Sequence, residues 1–248
     1  MGTCRVVIEA EPQSGVRNMA IDEALLEAAL DRGECTIRWY RWRSATVSLG
    51  YFQDKDAAAA IPAFAGLDVV RRLTGGGAIL HHHEWTYSCS VPPGHPFSQT
   101  PSRIYEFVHE RIIAGLTQQG VDAAALRGTN NASAEGEFLC FGRGDSRDVV
   151  LQGHKIVGSA QRRRRGAVLQ HGSLLLRRSE HAPQFPGVLD LADCGPFDVE
   201  LICRLGESIG AIFGNPGIAR EHEKSIQVRA LELEARYGTL DWGRRGSH

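Results

Sequence analysis

The apolar positions of this chain change period several times, and each change predicts an element. Thr3–Glu9, rich in Val and Ile, reads as a short strand. From Ser14 to Leu30 the apolar residues Met19, Ile21, Leu25, Leu26 and Ala29 recur at helical spacing, and Gly33 supplies the stop. Asp22 and Glu23 on that helix are expected at its solvent face. Thr36–Trp42 and Thr46–Phe52, β-branched and aromatic, read as strands joined by a loop at 43–45. Asp54–Ala65 is alanine-rich and reads as a helix, and 66–68 turn into a strand over Val69–Leu73. Pro101–Gln119 is a second amphipathic helix with Ile104, Phe107, Val108, Ile112 and Leu116 along one side. Val121–Leu126 reads as a strand, and the polar run Gly128–Glu137 as a surface loop of the kind that admits a substrate or partner. Phe197–Phe213 and Glu221–Tyr237 read as helices covering the sheet, each with a Gly close behind its end.

Between Cys140 and Leu176 the pattern becomes a run of short strands. DVVLQ, KIVGSAQ and AVLQHGSLLL are separated by turn candidates at Gly153-His154 and Arg165-Gly166. This predicts a β-meander with Lys155 at the head of its second strand and His171 inside its third. Gly158 and Gly172, inside strands, mark bulges or places where a ligand lies against the main chain. A Cys, a Lys and a His gathered among glycines on neighbouring strands point to an active site.

A second candidate is Gly75-Gly76-Gly77, where three residues without Cβ let backbone N–H groups approach a carbonyl, phosphate or oxyanion. Its simpler reading is a tight turn between strands. His81, His82 and His83 invite a metal reading, but consecutive residues on a strand point to alternating faces and do not share one ion, so no metal site is expected. Cys140, flanked by Leu139 and Phe141, has a simpler reading too: a buried apolar side chain.

Composition narrows the class. With 248 residues and no Pro/Ser-rich linker, a single domain over 1–245 is expected, Gly246–His248 being read as a cloning remnant. A formal net charge of −1 and a pI near 6.8 argue against a nucleic-acid binder. The one concentrated positive charge is Arg162–Arg165, either a solvated strand end or a patch meeting an acidic protein surface. No run is apolar and long enough to span a membrane, and the N-terminus lacks a secretory apolar region, so a cytoplasmic protein is expected. The six cysteines form no CxxC pattern and read as reduced thiols.

Two long motifs, in order, resemble the lipoate/biotin protein ligase and octanoyltransferase superfamily. They are RRLTGGGAILHHHEWTYS from Arg71 and GHKIVGSAQRRRRGAVLQHGSLLL from Gly153, accompanied by NMAIDEALL and TVSLGYFQ. His82 stands where many members carry Asp. The resemblance implies an α/β (α+β) fold: a mixed, mostly antiparallel sheet flanked by helices, with a tunnel for an acyl chain; the C-terminal accessory domain found in many two-domain lipoate ligases is not expected here. Cys140-Phe141 matches the cysteine of the branch acting on octanoyl-acyl carrier protein, which ATP-dependent ligases typically lack. The resemblance then implies Cys140 and Lys155 as catalytic residues. It implies Arg72, Gly75, Gly76, Gly77, His81, Gly158, Ser159, Ala160, His171 and Gly172 as substrate-binding residues, with Tyr51, Phe52 and Gln53 as outlying contacts.

The implied reaction moves an octanoyl or lipoyl group from acyl carrier protein, through a Cys140 thioester, to the lysine of a lipoyl domain. That acceptor is the glycine cleavage H protein or a 2-oxoacid dehydrogenase E2. No cofactor, metal, membrane or nucleic acid is implied, and ATP only for a ligase. Alternatives are an amidotransferase working between lipoyl domains, an ATP-dependent lipoate or biotin ligase, and a non-catalytic binding module.

Overall fold

The computed structural model describes residues 2–128, 138–142 and 144–242. The segment read as a surface loop falls, apart from Gly128, outside these residues, as does Gly246–His248. In chain order the elements are β1 (Thr3–Ile8), α1 (Gly15–Arg32), β2 (Cys35–Tyr40), β3 (Thr46–Leu49), β4 (Asp68–Arg71), β5 (Ile79–His81) and β6 (Glu84–Val91). Next come α2 (Pro96–Gln99), α3 (Ser102–Gln118), β7 (Ala125–Leu126), β8 (Val149–Leu151), β9 (His154–Arg164) and β10 (Ala167–Leu175). The chain continues with α4 (Val188–Leu191), α5 (Val199–Phe213), β11 (Asn215–Ala219) and α6 (Lys224–Tyr237).

Eight strands form one sheet in the order β11-β1-β2-β6-β10-β9-β8-β7, parallel at β11-β1-β2 and antiparallel from β2 onward. A smaller sheet, β4-β3-β5, stands apart. The expected mixed, mostly antiparallel sheet flanked by helices is therefore present.

The meander is built by turn chemistry. Arg165 and Gly166 take φ of 45° and 87°, Gln152 and Gly153 of 51° and 81°, so both links are two-residue turns with left-handed backbones that a Gly tolerates. The first falls one residue before the Gly153-His154 position expected. β10 is buried along its whole length between β6 and β9, so its residues are apolar or small and polar with partners.

Helices close the faces. Ser14 caps α1 by accepting from the Arg17 N–H, and Gly33 ends it in a left-handed conformation. α5 and α3 lie over the main hydrophobic core, where Ile104, Val108, Ile112, Leu201 and Leu205 meet Trp39 and Tyr87. α6 does not cover the sheet as expected: it packs on α1, through Ile226, Ala230 and Leu233 against Met19, Ala24 and Leu25.

Several expectations fail for physical reasons. Asp54–Ala65 is not a helix but consecutive i→i+3 turns and a short 3-10 turn at Pro62–Phe64. The Asp54 side chain takes the Asp56 N–H, and Pro62 offers none, so local polar bonds outcompete alanine's helix propensity. The Val121–Leu126 strand shrinks to Ala125–Leu126. The two strands read at Thr36–Trp42 and Thr46–Phe52 are present as the shorter β2 and β3, in different sheets.

Asp22 and Glu23 are not on a solvent face; each is 2% exposed. Asp22 accepts from Arg38, Tyr40 and Ser88, and Glu23 accepts from Tyr237 and pairs with Arg164 and Arg236. Two faces of α1 are covered, one by the sheet and one by α6. A single apolar stripe could not reveal the second.

Candidate active site

Cys140 opens a 3-10 turn, Cys140–Gly142, and is half-buried. Its N–H donates to the Ala78 carbonyl at 2.7 Å, and Ala78 bridges to Leu139. These contacts hang the cysteine on the segment that leaves the glycine turn. Lys155 reaches it from β9: Nζ donates to the Cys140 carbonyl oxygen at 3.3 Å and pairs with Asp148 at 3.0 Å. Both ionic side chains are 4% exposed. Burial pushes the Asp148 carboxyl up, with Lys155 pulling the other way.

Gly158 makes this reach feasible. A Cβ there would stand 2.3 Å from Lys155 Cε and 2.8 Å from Nζ. A Cβ at Gly172 would stand 2.3 Å from Ser159 Oγ and 2.8 Å from the Tyr87 ring. Neither strand glycine marks a bulge, because the β9–β10 register is unbroken from Ala167↔Arg164 to Leu174↔Val157. The spaces they leave are filled by Lys155, Ser159 and Tyr87 themselves; the register shift lies at Val149/Val150.

Arg72 organises the glycine turn. Its five N–H groups donate to Thr74 Oγ1, the Ser48 carbonyl and hydroxyl, and the Gly75 and Gly77 carbonyls, at 2.6–3.2 Å. Turning the Gly75 carbonyl toward the guanidinium directs the Gly76 N–H away from it, since the peptide is planar and trans. Gly76 has φ 91°, and its carbonyl passes so close to Gly50 that a Cβ there would lie 2.1 Å away.

All five acceptors of Arg72 are uncharged. Burial accordingly pushes the guanidinium down to about 10, and the charge pulling it back up is that of Cys140. Arg38, equally buried, gives three of its five donors to the carboxylates of Glu9 and Asp22. One buried cation is neutralised; the other keeps its charge beside Cys140.

Two histidines hold this frame. His171 takes Thr74 at 2.7 Å and Asp22 at 3.3 Å, and His81 takes Ser48 and Glu84, each at 2.7 Å, while stacking on Trp42 at 3.8 Å. Both ring nitrogens of each are thus engaged by protein. Ala160 faces His171 across β9–β10 and is half-buried.

Sequence reasoning missed His109, on α3. Its Nδ1–H donates to the Arg147 carbonyl at 2.5 Å, leaving Nε2 to accept from Ser159 Oγ at 2.6 Å. Ser159 in turn accepts from Tyr87, and Tyr87 from Gln170. A polar residue interrupting the Ile104-Val108-Ile112 stripe was the available signal. Burial holds His109 down to about 4 from 6.5. The unfolded chain therefore binds the extra proton first as pH falls. Stability is complete above about pH 6.5 and lost progressively toward pH 4, by about 3 kcal/mol from this group. Urea midpoints at pH 7 and pH 5 are expected to differ less in His109→Asn than in the parent.

A pocket of about 470 Å³ opens beside Gly75, lined by Phe52, Tyr105, Gln161, Arg147, Arg162 and Arg163. The four arginines of 162–165 therefore separate: Arg162 lies over the Tyr51 ring, Arg164 pairs with Glu23, and Arg165 faces Asp31. Arg162 and Arg163 line the pocket together with Arg147, while Arg164 and Arg165 turn to carboxylates of α1. Behind Cys140 a smaller cavity, about 30 Å³, touches Leu139, Phe141, Leu175 and Phe185.

No helix among the described residues is long and apolar enough to cross a membrane. A half-buried cysteine, two buried cations and a glycine turn thus converge, an arrangement suited to a nucleophilic thiolate and a developing oxyanion.

Residues 14–188 match the model of the lipoyl protein ligase A/B catalytic domain. Octanoyltransferase LipM of Kyrpidia tusciae is 42% identical over 174 residues, covering 66% of this chain and 62% of that protein. The namesake from Moorella thermoacetica is 34% identical over 259 residues, 92% of this chain and 93% of its own. The chain thus spans less than two thirds of the Kyrpidia relative in its match.

Among solved structures, lipoate-protein ligase A bound with ATP superposes with a TM-score of 0.72 at 22% identity, covering 97% of this chain and 98% of its own. A bi-partite lipoate protein ligase from Thermoplasma acidophilum gives 0.68 at 22%, covering 97% and 96%. These two likenesses establish the fold. With a family model matched from α1 to β10 and the motifs folded around one cysteine, the chain belongs to the lipoyl protein ligase A/B catalytic-domain family.

Proposed function

We propose that the protein is a cysteine-dependent octanoyltransferase of protein lipoylation. The observation that carries this reading is the cationic setting of Cys140: Arg72 buried with only uncharged acceptors, and Lys155 hydrogen-bonded to the cysteine's own carbonyl. A thiolate is the nucleophile in thioester chemistry, and neighbouring positive charge favours it. Relatives named octanoyltransferase support the assignment of the acyl group.

In this mechanism the Cys140 thiolate attacks the carbonyl of octanoyl-acyl carrier protein. The carbon–sulfur bond to the carrier breaks, the carrier thiolate takes a proton, and an S-octanoyl enzyme remains. The neutral amine of a lipoyl-domain lysine then attacks. An amide forms, the amine's proton is shed, and Cys140 leaves as thiolate. The Gly76 N–H, turned away from Arg72, and the Lys155 ammonium are the groups offered to the oxyanion. Arg147, Arg162 and Arg163 around the pocket beside Gly75 suit an acidic carrier. The steps balance without ATP or a metal.

The test is intact mass after mixing with octanoyl-acyl carrier protein and no ATP. One octanoyl increment, discharged onto an added lipoyl domain, is expected. No increment, with lipoyl-domain modification only from free acid and ATP, would make it a ligase. Charging from an octanoylated lipoyl domain but not from the carrier would make it an amidotransferase.

Gly158→Ala probes the lysine without removing it. The new methyl occupies the space of Lys155 Cε, so the ammonium must leave the Cys140 carbonyl. Transfer is expected to slow about 10²-fold, as misplacement of a catalytic group by about 1 Å does. Unchanged steady-state rates would show that the position of Lys155 is immaterial.

A further inference from the structure

The histidine run has a use that the reaction does not absorb. β5 ends at His81, which points inward to Ser48 and Glu84, while His82 and His83 form the turn before β6. The strand alternation expected of these residues therefore stops at His81. In the turn the two rings stack on each other, centroids 3.6 Å apart.

Across from them runs the turn bridged at Ser179↔Ala182. Ser179 Oγ lies 3.0 Å from His82 Nδ1, and the Glu180 carboxylate 3.6 Å from the same nitrogen. One ligand atom from each of His82, His83 and Glu180 fits within a 4.8 Å span, a grouping found once among the described residues.

We propose that His82, His83 and Glu180 form a binding site for one divalent transition-metal ion of the zinc class. Two imidazoles and one carboxylate, completed by water, are a ligand set this ion takes in tetrahedral geometry. Bonds of about 2.0–2.2 Å bring ligand atoms roughly 3.3 Å apart, so the three must close from their 4.8 Å span and the two stacked rings must turn out of parallel, since each nitrogen binds in its ring plane. The exposed Glu180 side chain has the freedom to close in. With Nε2 of His82 as the ligand, Nδ1 keeps its hydrogen bond to Ser179, the role outer partners play at histidine sites, and the Glu180 carboxylate must swing from Nδ1 to the ion.

Location gives the site a consequence. The small cavity behind Cys140 is bounded by His82 and His83 on one side and by Leu139 and Phe141, the neighbours of Cys140, on the other. The His83 carbonyl already accepts from the N–H groups of Leu176 and Arg177. A bound ion ties the β5–β6 turn to the Ser179–Ala182 turn and fixes that wall.

The six free thiols compete for soft metals, so the experiment must separate sulfur from nitrogen and oxygen ligation. Chelator-treated full-length protein is titrated with Co²⁺ under reducing conditions, then back-titrated with Zn²⁺. One Co²⁺ per chain is expected, with visible d–d bands and no thiolate-to-metal charge-transfer band, displaced by Zn²⁺. Affinity should fall at least about tenfold in His83→Ala and in Glu180→Gln, and stay unchanged in Cys140→Ser. Glu180→Gln changes an exposed side chain and keeps the fold intact, so lost binding there reads the site alone. A charge-transfer band, loss of binding in Cys140→Ser, equal affinity in Glu180→Gln, or no Co²⁺ uptake would each overturn the proposal.

Discussion

Cys140→Ala is expected to abolish the octanoyl adduct and to slow transfer to a lipoyl domain at least about 10⁴-fold. The remaining five cysteines cannot substitute. Cys4, Cys35 and Cys89 are buried in the core; the hydrogen bond with Cys4 and then burial push the Cys35 thiol up, and burial pushes up that of Cys89. Cys194 and Cys203 are also pushed up, by burial first and an acidic neighbour second. Cys140 alone stands beside the Arg72–glycine-turn assembly and the Lys155 ammonium. Since the change deletes one sulfur from a half-buried turn, the thermal midpoint should move by no more than about 2 °C. Cys140→Ser keeps the shape but offers an alcohol that stays protonated, so it should be nearly as inactive. Retained ATP-independent transfer in either variant would remove the thioester mechanism, and a matching loss of fold would show up in the midpoint.

The cationic pair around Cys140 was only partly readable in the chain. Lys155 at the head of β9 followed from turn residues and strand length, because Gly153 and Gly166 are needed where the backbone turns left-handed. That Lys155 points back to Cys140 was not readable: it depends on Gly158 leaving a gap three residues on, and on Asp148 meeting the ammonium. Periodicity describes which face a residue takes, not which partner waits there. The histidines show the same limit. His171 inside β10 was placed correctly, but its partners Asp22 and Thr74 come from α1 and the glycine turn. Only tertiary structure joins those.

Where local chemistry and pattern disagreed, local chemistry decided. Alanines at 57–60 favour a helix, yet Asp54 and Pro62 set turns. β11 escaped notice because Asn215–Ala219 contains Pro and Gly; it survives as an edge strand, where one side needs no ladder bonds. The resemblance carried the fold further than the pattern did, since motifs fix long-range neighbours that composition leaves open.

Arg38→Ala should give the largest loss of stability, about 3–5 kcal/mol. For a chain of this size that corresponds to a fall in thermal midpoint of roughly 6–20 °C. Arg38 has no exposed side-chain surface and uses all five donors: Nε and one Nη on Glu9, and the others on Asp22 and on the Asn18 carbonyl and side-chain oxygens. Removing it leaves the buried Asp22 and the half-buried Glu9 without the guanidinium they share, Glu9 keeping only His222. With Arg38 as a principal partner, Glu9 is held down to about 2 against the pull of burial, and Asp22 is lowered despite burial as well. Without the guanidinium, burial dominates and both carboxyls move up. Glu9 in the parent contributes stability above its ordinary value of 4.5 and loses it as pH falls toward 2. In Arg38→Ala this window should shift upward, so that acid unfolding begins at higher pH. Arg38→Lys should recover little, because an ammonium cannot reproduce the forked contacts. Because Asp22 also holds His171, and His171 holds Thr74 beside Arg72, the variant should lose activity before it unfolds. Calorimetry with parallel transfer rates between 15 and 40 °C tests both points. A midpoint within about 2 °C of the parent would mean that water or rearranged neighbours replace the arginine. Full activity up to the transition would disconnect Asp22 from the glycine turn.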